Sequence, residues 1–150
     1  MSACHAAHVL TVELRDVSGR VPVQFDIMPS TGLSQFIAES QFKLAQQLAA
    51  TLGLRYYFLV NTDIVRGWNL SDGRQVFAEA TEPLLLPYAE TPDRIRTARA
   101  GYLAQLTQAW VADLASHWKS GSAPAPGETA MDPGALSVIR SAEAATSGSL

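Results

Sequence analysis

The chain has 150 residues, 47% of them hydrophobic and only 17% charged, with a formal net charge of −3. That is enough apolar material for one domain of ordinary size, and a mildly acidic balance gives no global attraction to nucleic acid. A single cysteine, Cys4, excludes an internal disulfide framework. No apolar run approaches the ~20 residues of a membrane-spanning helix, and MSACHAAHVL has neither the basic start nor the apolar core of a signal peptide. The expectation is a cytoplasmic protein.

Cys4, His5 and His8 crowd three metal-capable side chains near the N-terminus. A closed zinc site needs four ligands, and only the distant His117 could add one, so a loose terminus is the reading preferred. Val9 to Asp16 alternates apolar and polar residues as a strand does. Val17-Ser18-Gly19-Arg20 is a hairpin turn, and Val21 to Met28 is the returning strand. Pro29-Ser30-Thr31-Gly32 ends it.

Leu33 to Leu52 is the clearest helix. Leu33, Phe36, Ile37, Leu44, Leu48 and Leu52 share one face at a 3.6-residue period, and that face is expected to pack on the sheet. Ser40 lies on the same stripe, whereas Phe42 points nearly opposite. Gly53 is a C-terminal stop. Tyr56 to Val60 (YYFLV) is a continuous apolar run, the signature of a central strand buried on both faces. Asn61-Thr62-Asp63 is a turn, and Ile64, Val65 and Trp68 mark the next strand, with Gly67 leaving room for a bulge or a close neighbour.

Ser71-Asp72-Gly73-Arg74 predicts a further hairpin turn, and Gln75 to Glu79 a short edge strand. Prolines bracket a short helical turn between Glu82 and Tyr88. Thr91-Pro92-Asp93 opens a second long helix, expected to run to about Trp118, with Ile95, Ala98, Tyr102, Leu106, Trp110, Leu114 and Trp118 at spacings of three and four. From Lys119 the chain is rich in Ser, Ala, Pro and Gly, so 119–150 reads as a flexible tail following a domain over 1–118.

Taken together, VELRDVSGRVPVQFDIMPS, a helix and RYYFLVNTDIVRGW resemble the core of the PD-(D/E)XK nuclease superfamily. The resemblance covers about Val9 to Tyr88. It implies a restriction-endonuclease-like mixed sheet flanked by helices, shortened at its N-terminus because the family's leading helix has no room before Val9. In that family an Asp on the first strand and a Glu-x-Lys on the second hold Mg2+ and activate water. Here the second strand reads Asp26-Ile27-Met28. Asp26 fills the acidic position, while Met28 stands where the lysine would be and offers only a thioether. Val9, Leu10 and Thr11 lie where the first acid belongs.

Under the nuclease reading, Asp26 would be the metal ligand and catalytic carboxylate. Glu39 and Lys43, spaced i, i+4 on the helix, would supply the missing acid and cation, although a surface ion pair is the simpler account of them. Glu13 and Arg15 are a second, earlier pair. His117 reads as a helix-capping histidine, and Arg94, Arg96 and Arg99 as a solvated face. The resulting expectation is a degenerate nuclease-like domain without a cofactor, acting in protein binding, assembly or self-association. The alternatives are a Mg2+-dependent DNA endonuclease and a nucleic-acid-binding module that does not cleave.

Overall fold

The structure is a computed structural model and describes residues 10–29 and 35–148. Cys4, His5 and His8, the start of the first strand, and the turn and helix start at 30–34 lie outside the described residues.

Five strands form one sheet in sequence order: β1 (Leu10–Leu14), β2 (Val23–Ile27), β3 (Tyr56–Val60), β4 (Ile64–Asn69) and β5 (Gln75–Ala80). The hairpin turn sets β1 antiparallel to β2, with Gly19 at φ 85° as the tight turn requires. β2 and β3 are parallel, so the chain must cross over between them, and α1 (Gln35–Leu52) makes that crossover. β3–β4 and β4–β5 are antiparallel. Every residue of β3 is buried, as expected of a strand covered on both faces.

Side chains alternate between two cores. On one face Phe25 stacks on Phe58 at 4.7 Å between centroids, and Trp110 meets Phe25 edge-on. This core is closed by α4 (Ala100–Ser116) and α5 (Pro133–Gly148). On the other face α1 covers Tyr57, Leu59 and Trp68. The result is a three-layer α/β arrangement, a mixed sheet flanked by helices. No helix among the described residues is long and apolar enough to cross a membrane.

Three expectations are corrected. The first concerns α1, which is rotated relative to the leucine stripe. Ala38 and Ala45 face the sheet, and Phe42 stacks on Trp68 at 5.4 Å, while Leu44 and Leu48 are 53% and 52% exposed. Ser40 is exposed too, and Leu52 alone of the described leucines in the stripe is half-buried. Small side chains let the helix backbone lie close to the sheet, and Phe42 fills the space above the Trp68 ring.

The second is the long helix beginning at Thr91. It is two helices, α3 (Pro92–Arg96) and α4, separated at Thr97–Arg99. Thr97 turns its hydroxyl back to the carbonyl of Asp93, and Arg99 is extended. Gly101 therefore falls in the first turn of α4 rather than mid-helix, and Trp118, beyond its end, is exposed. The short segment before them is α2 (Thr81–Leu85), followed by a 3-10 turn over Leu86–Tyr88.

The third is the tail. Residues 119–148 are ordered against the domain, and α5 buries Ala135, Ile139 and Ala142 beside α4. Trp110 donates its indole N–H to the Pro126 carbonyl at 2.7 Å. A run of Ser, Ala, Pro and Gly looks unable to bury a core, but small side chains permit close helix packing, and Ile139 and Met131 supply the bulk.

Candidate functional site

The hairpin centred on Ser18 and Gly19 sets Thr11 directly opposite Asp26, and the parallel pairing brings Tyr57 alongside. These side chains lie on the sheet face that α1 covers. The Asp26 carboxylate accepts three hydrogen bonds: from Thr11 Oγ1 at 2.9 Å and Gln24 Nε2 at 3.0 Å to Oδ1, and from the Tyr57 hydroxyl at 2.8 Å to Oδ2. Tyr57 is fully buried, and burial followed by the adjacent Asp26 charge pushes its phenol well above the ordinary value.

The other residues proposed from sequence do not join this cluster in any described hydrogen bond or ion pair. Glu39 and Lys43 stand at exposed positions of α1. Glu13 pairs with Arg15 at 3.0 Å on the hairpin. Met28 is half-buried at the margin of the α1-side core, its amide bonded to the Val60 carbonyl. Asp26 thus offers one carboxylate whose two oxygens already receive O–H and N–H donors. Such a donor set does not fit a hard divalent cation, which takes several oxygen ligands facing it. Among the described residues no group of three or more His, Cys, Asp or Glu is placed to hold a metal ion.

Thr11 could be found from the sequence by centring the hairpin, because the register follows from the turn. Tyr57 could not, because a parallel pairing through a helix leaves its register open. On the same sheet face Arg66 pairs in register with Leu59, which in turn pairs with Asp26, and the Arg66 Nη1 is buried without a hydrogen-bond partner.

A second polar cluster lies under the C-terminal segment. Asp113 accepts from the Tyr88 hydroxyl at 2.5 Å and from the Lys119 and Ser120 amides at 3.0 Å. Burial raises the Asp113 carboxyl, but these bonds outweigh it and hold the group below its ordinary value. Glu128 receives the Ala125 amide, His117 Nε2 at 2.7 Å and Arg140 at 3.2 Å. His117 ends α4 in the left-handed conformation, φ 56°, and its amide caps the Asp113 carbonyl. This network fastens the 119–148 segment to α4. Arg94 and Arg96 are engaged at the surface, Arg94 with Glu90 and the Tyr102 ring, Arg96 with Glu82 and Asp93.

No family model, curated protein or solved structure matches the chain. The class of architecture is a mixed α/β sheet flanked by helices on both faces.

Proposed function

We propose that this chain is a non-catalytic binding domain on a restriction-endonuclease-like core, and that it assembles with a second copy of itself through α1. The observation that carries the reading is the outward face of α1. Leaving two leucines one turn apart about half exposed forgoes roughly 1 kcal/mol each of available burial, which a bound partner recovers.

The residues around them suit a self-complementary contact. From Leu44 to Leu54 the chain carries no charged residue, so two copies meeting antiparallel would bring no like charges together. The saturated Asp26 carboxylate and Met28 in the lysine position support a core that no longer cleaves phosphodiesters. The antiparallel hairpin, helical crossover and parallel third strand agree with the order of elements that the resemblance implies.

Sedimentation equilibrium of the parent and of Leu44→Glu/Leu48→Glu tests the assembly. The expected parent mass approaches twice the 16.1 kDa chain mass at high concentration, and the variant stays at 16.1 kDa. A parent that remains at 16.1 kDa into the millimolar range would remove the self-association.

A further inference from the structure

A cleft of about 680 Å3 opens where the β1–β2 turn, the end of α1, the start of β3 and one side of α5 meet. This volume suits a small molecule. Its wall includes Arg20, Arg55, Tyr56, Ser71, Ser137 and Ser141.

The charges of this wall set it apart. Arg15, Arg74, Arg94, Arg96 and Arg140 each hold a carboxylate. Among the described residues, Arg20, Arg55, Arg66 and Arg99 are in no described ion pair, and two of these four, Arg20 and Arg55, line this one cleft. The Arg55 guanidinium lies 5.9 Å from the Tyr56 ring centroid, over its face. The Arg20 stem lies against Gly53, where a Cβ would come within 2.9 Å of Arg20 Cδ.

Two groups bear on these cations: the Asp16 carboxylate, which interacts electrostatically with Arg20, and the carbonyl end of α1. Asp16 is the one carboxylate among the lining residues, and its Oδ1 already receives the Ser18 amide and hydroxyl and the Arg20 amide. The end of α1 is also capped by backbone: the Ala49 carbonyl takes the Gly53 and Leu54 amides, and the Leu52 carbonyl takes the Val21 amide. The wall therefore keeps a net positive charge. Ser137 and Ser141, one helical turn apart on α5, add hydroxyls to the same wall.

We propose that this cleft binds a small-molecule anion bearing a phosphate or carboxylate group. Arg20 and Arg55 meet the acid group, because a guanidinium presents paired N–H donors to two oxygens of one anion. Ser137 and Ser141 meet the polar remainder. The site lies at the opposite end of β2 from Asp26 and does not depend on assembly through α1.

The test is amide chemical-shift titration of the full chain with inorganic phosphate and, separately, citrate, at constant ionic strength set with sodium chloride. Saturable shifts are expected at Arg55, Tyr56, Ser71 and Ser141 with at least one probe. Saturation by phosphate alone assigns a phosphorylated ligand, by citrate alone a carboxylate, and by both an acid group read without selectivity. Arg20→Gln/Arg55→Gln should weaken binding at least tenfold at an unchanged melting temperature. Ser137→Glu, which adds a carboxylate to the wall without touching either arginine, should weaken it similarly. Linear shifts with both probes, or binding by both variants equal to the parent's, would overturn the proposal.

Discussion

Tyr57 on β3 donates its phenolic hydrogen to Asp26 on β2 at 2.8 Å, joining two parallel strands through their side chains beneath α1. Tyr57→Phe removes this bond and leaves Asp26 with Thr11 and Gln24. The expected cost is about 1 kcal/mol at neutral pH, or roughly 2–4 °C in melting temperature. The phenol's value is raised in the folded state, so its contribution is complete below the ordinary value of 10.0 and is lost as pH climbs above it. Denaturant midpoints should therefore fall more steeply above pH 10 in the parent than in Tyr57→Phe; parallel curves would contradict this.

Catalytic silence is the second expectation. Plasmid incubated with the purified chain and either Mg2+ or Mn2+ should remain intact, because one saturated carboxylate cannot organise the ion. Met28→Lys alone should not change that, since the first-strand acid is still missing. Cleavage by the parent that vanishes in Asp26→Ala would restore the endonuclease reading.

Gly67→Ala should be disproportionately harmful. A Cβ there would lie 2.4 Å from Phe58 Cε2, and that ring cannot withdraw because Phe25 is stacked on it. Overpacking of this kind costs about 1–3 kcal/mol. A melting temperature within a degree of the parent's would show that the ring has somewhere to go.

Removing residues 119–150 should prevent stable folding, because Ile139, Ala135 and Ala142 leave the main core and Trp110 loses its carbonyl partner. Ile139→Ala is the gentler probe, with an expected loss of about 2–4 kcal/mol in denaturant unfolding. A truncated chain that melts as the parent does would refute the docking of this segment.

Acid should release the same segment first. Asp113 and Glu128 both have lowered carboxyl values, so their stabilising effect is present above about pH 4–5 and is lost as pH falls through the folded values. Hydrogen exchange at pH 3 should show α5 amides exposed before those of β3. Simultaneous exposure would mean that the network does not control the segment.

The strands were legible because period two and the turn residues around Gly19 and Gly73 leave few choices. The side of α1 that meets the sheet was not. Ile37, Leu44 and Leu48 satisfy the helical period, but periodicity names a stripe without saying what covers it, and Ala38, Ala45 and Phe42 form the better fit to Trp68. The break between α3 and α4 was hidden because Ile95 and Leu106 are both buried, so one apolar register spans two helices. Asp26 was legible as a polar residue on a core strand. Its neighbours Gln24 and Tyr57 were not, because their roles arise from pairing and burial together.

The contact of α5 with β1 also bears on the order in which the chain can fold. Val12 and Leu14 emerge well before their cover, which arrives with α4 and α5, about a hundred residues later. At ~5–20 residues per second the early sheet waits several seconds or more with that face bare. Through that interval a nascent β1–β2 hairpin keeps these apolar side chains in water, and the domain can close only once α5 has emerged.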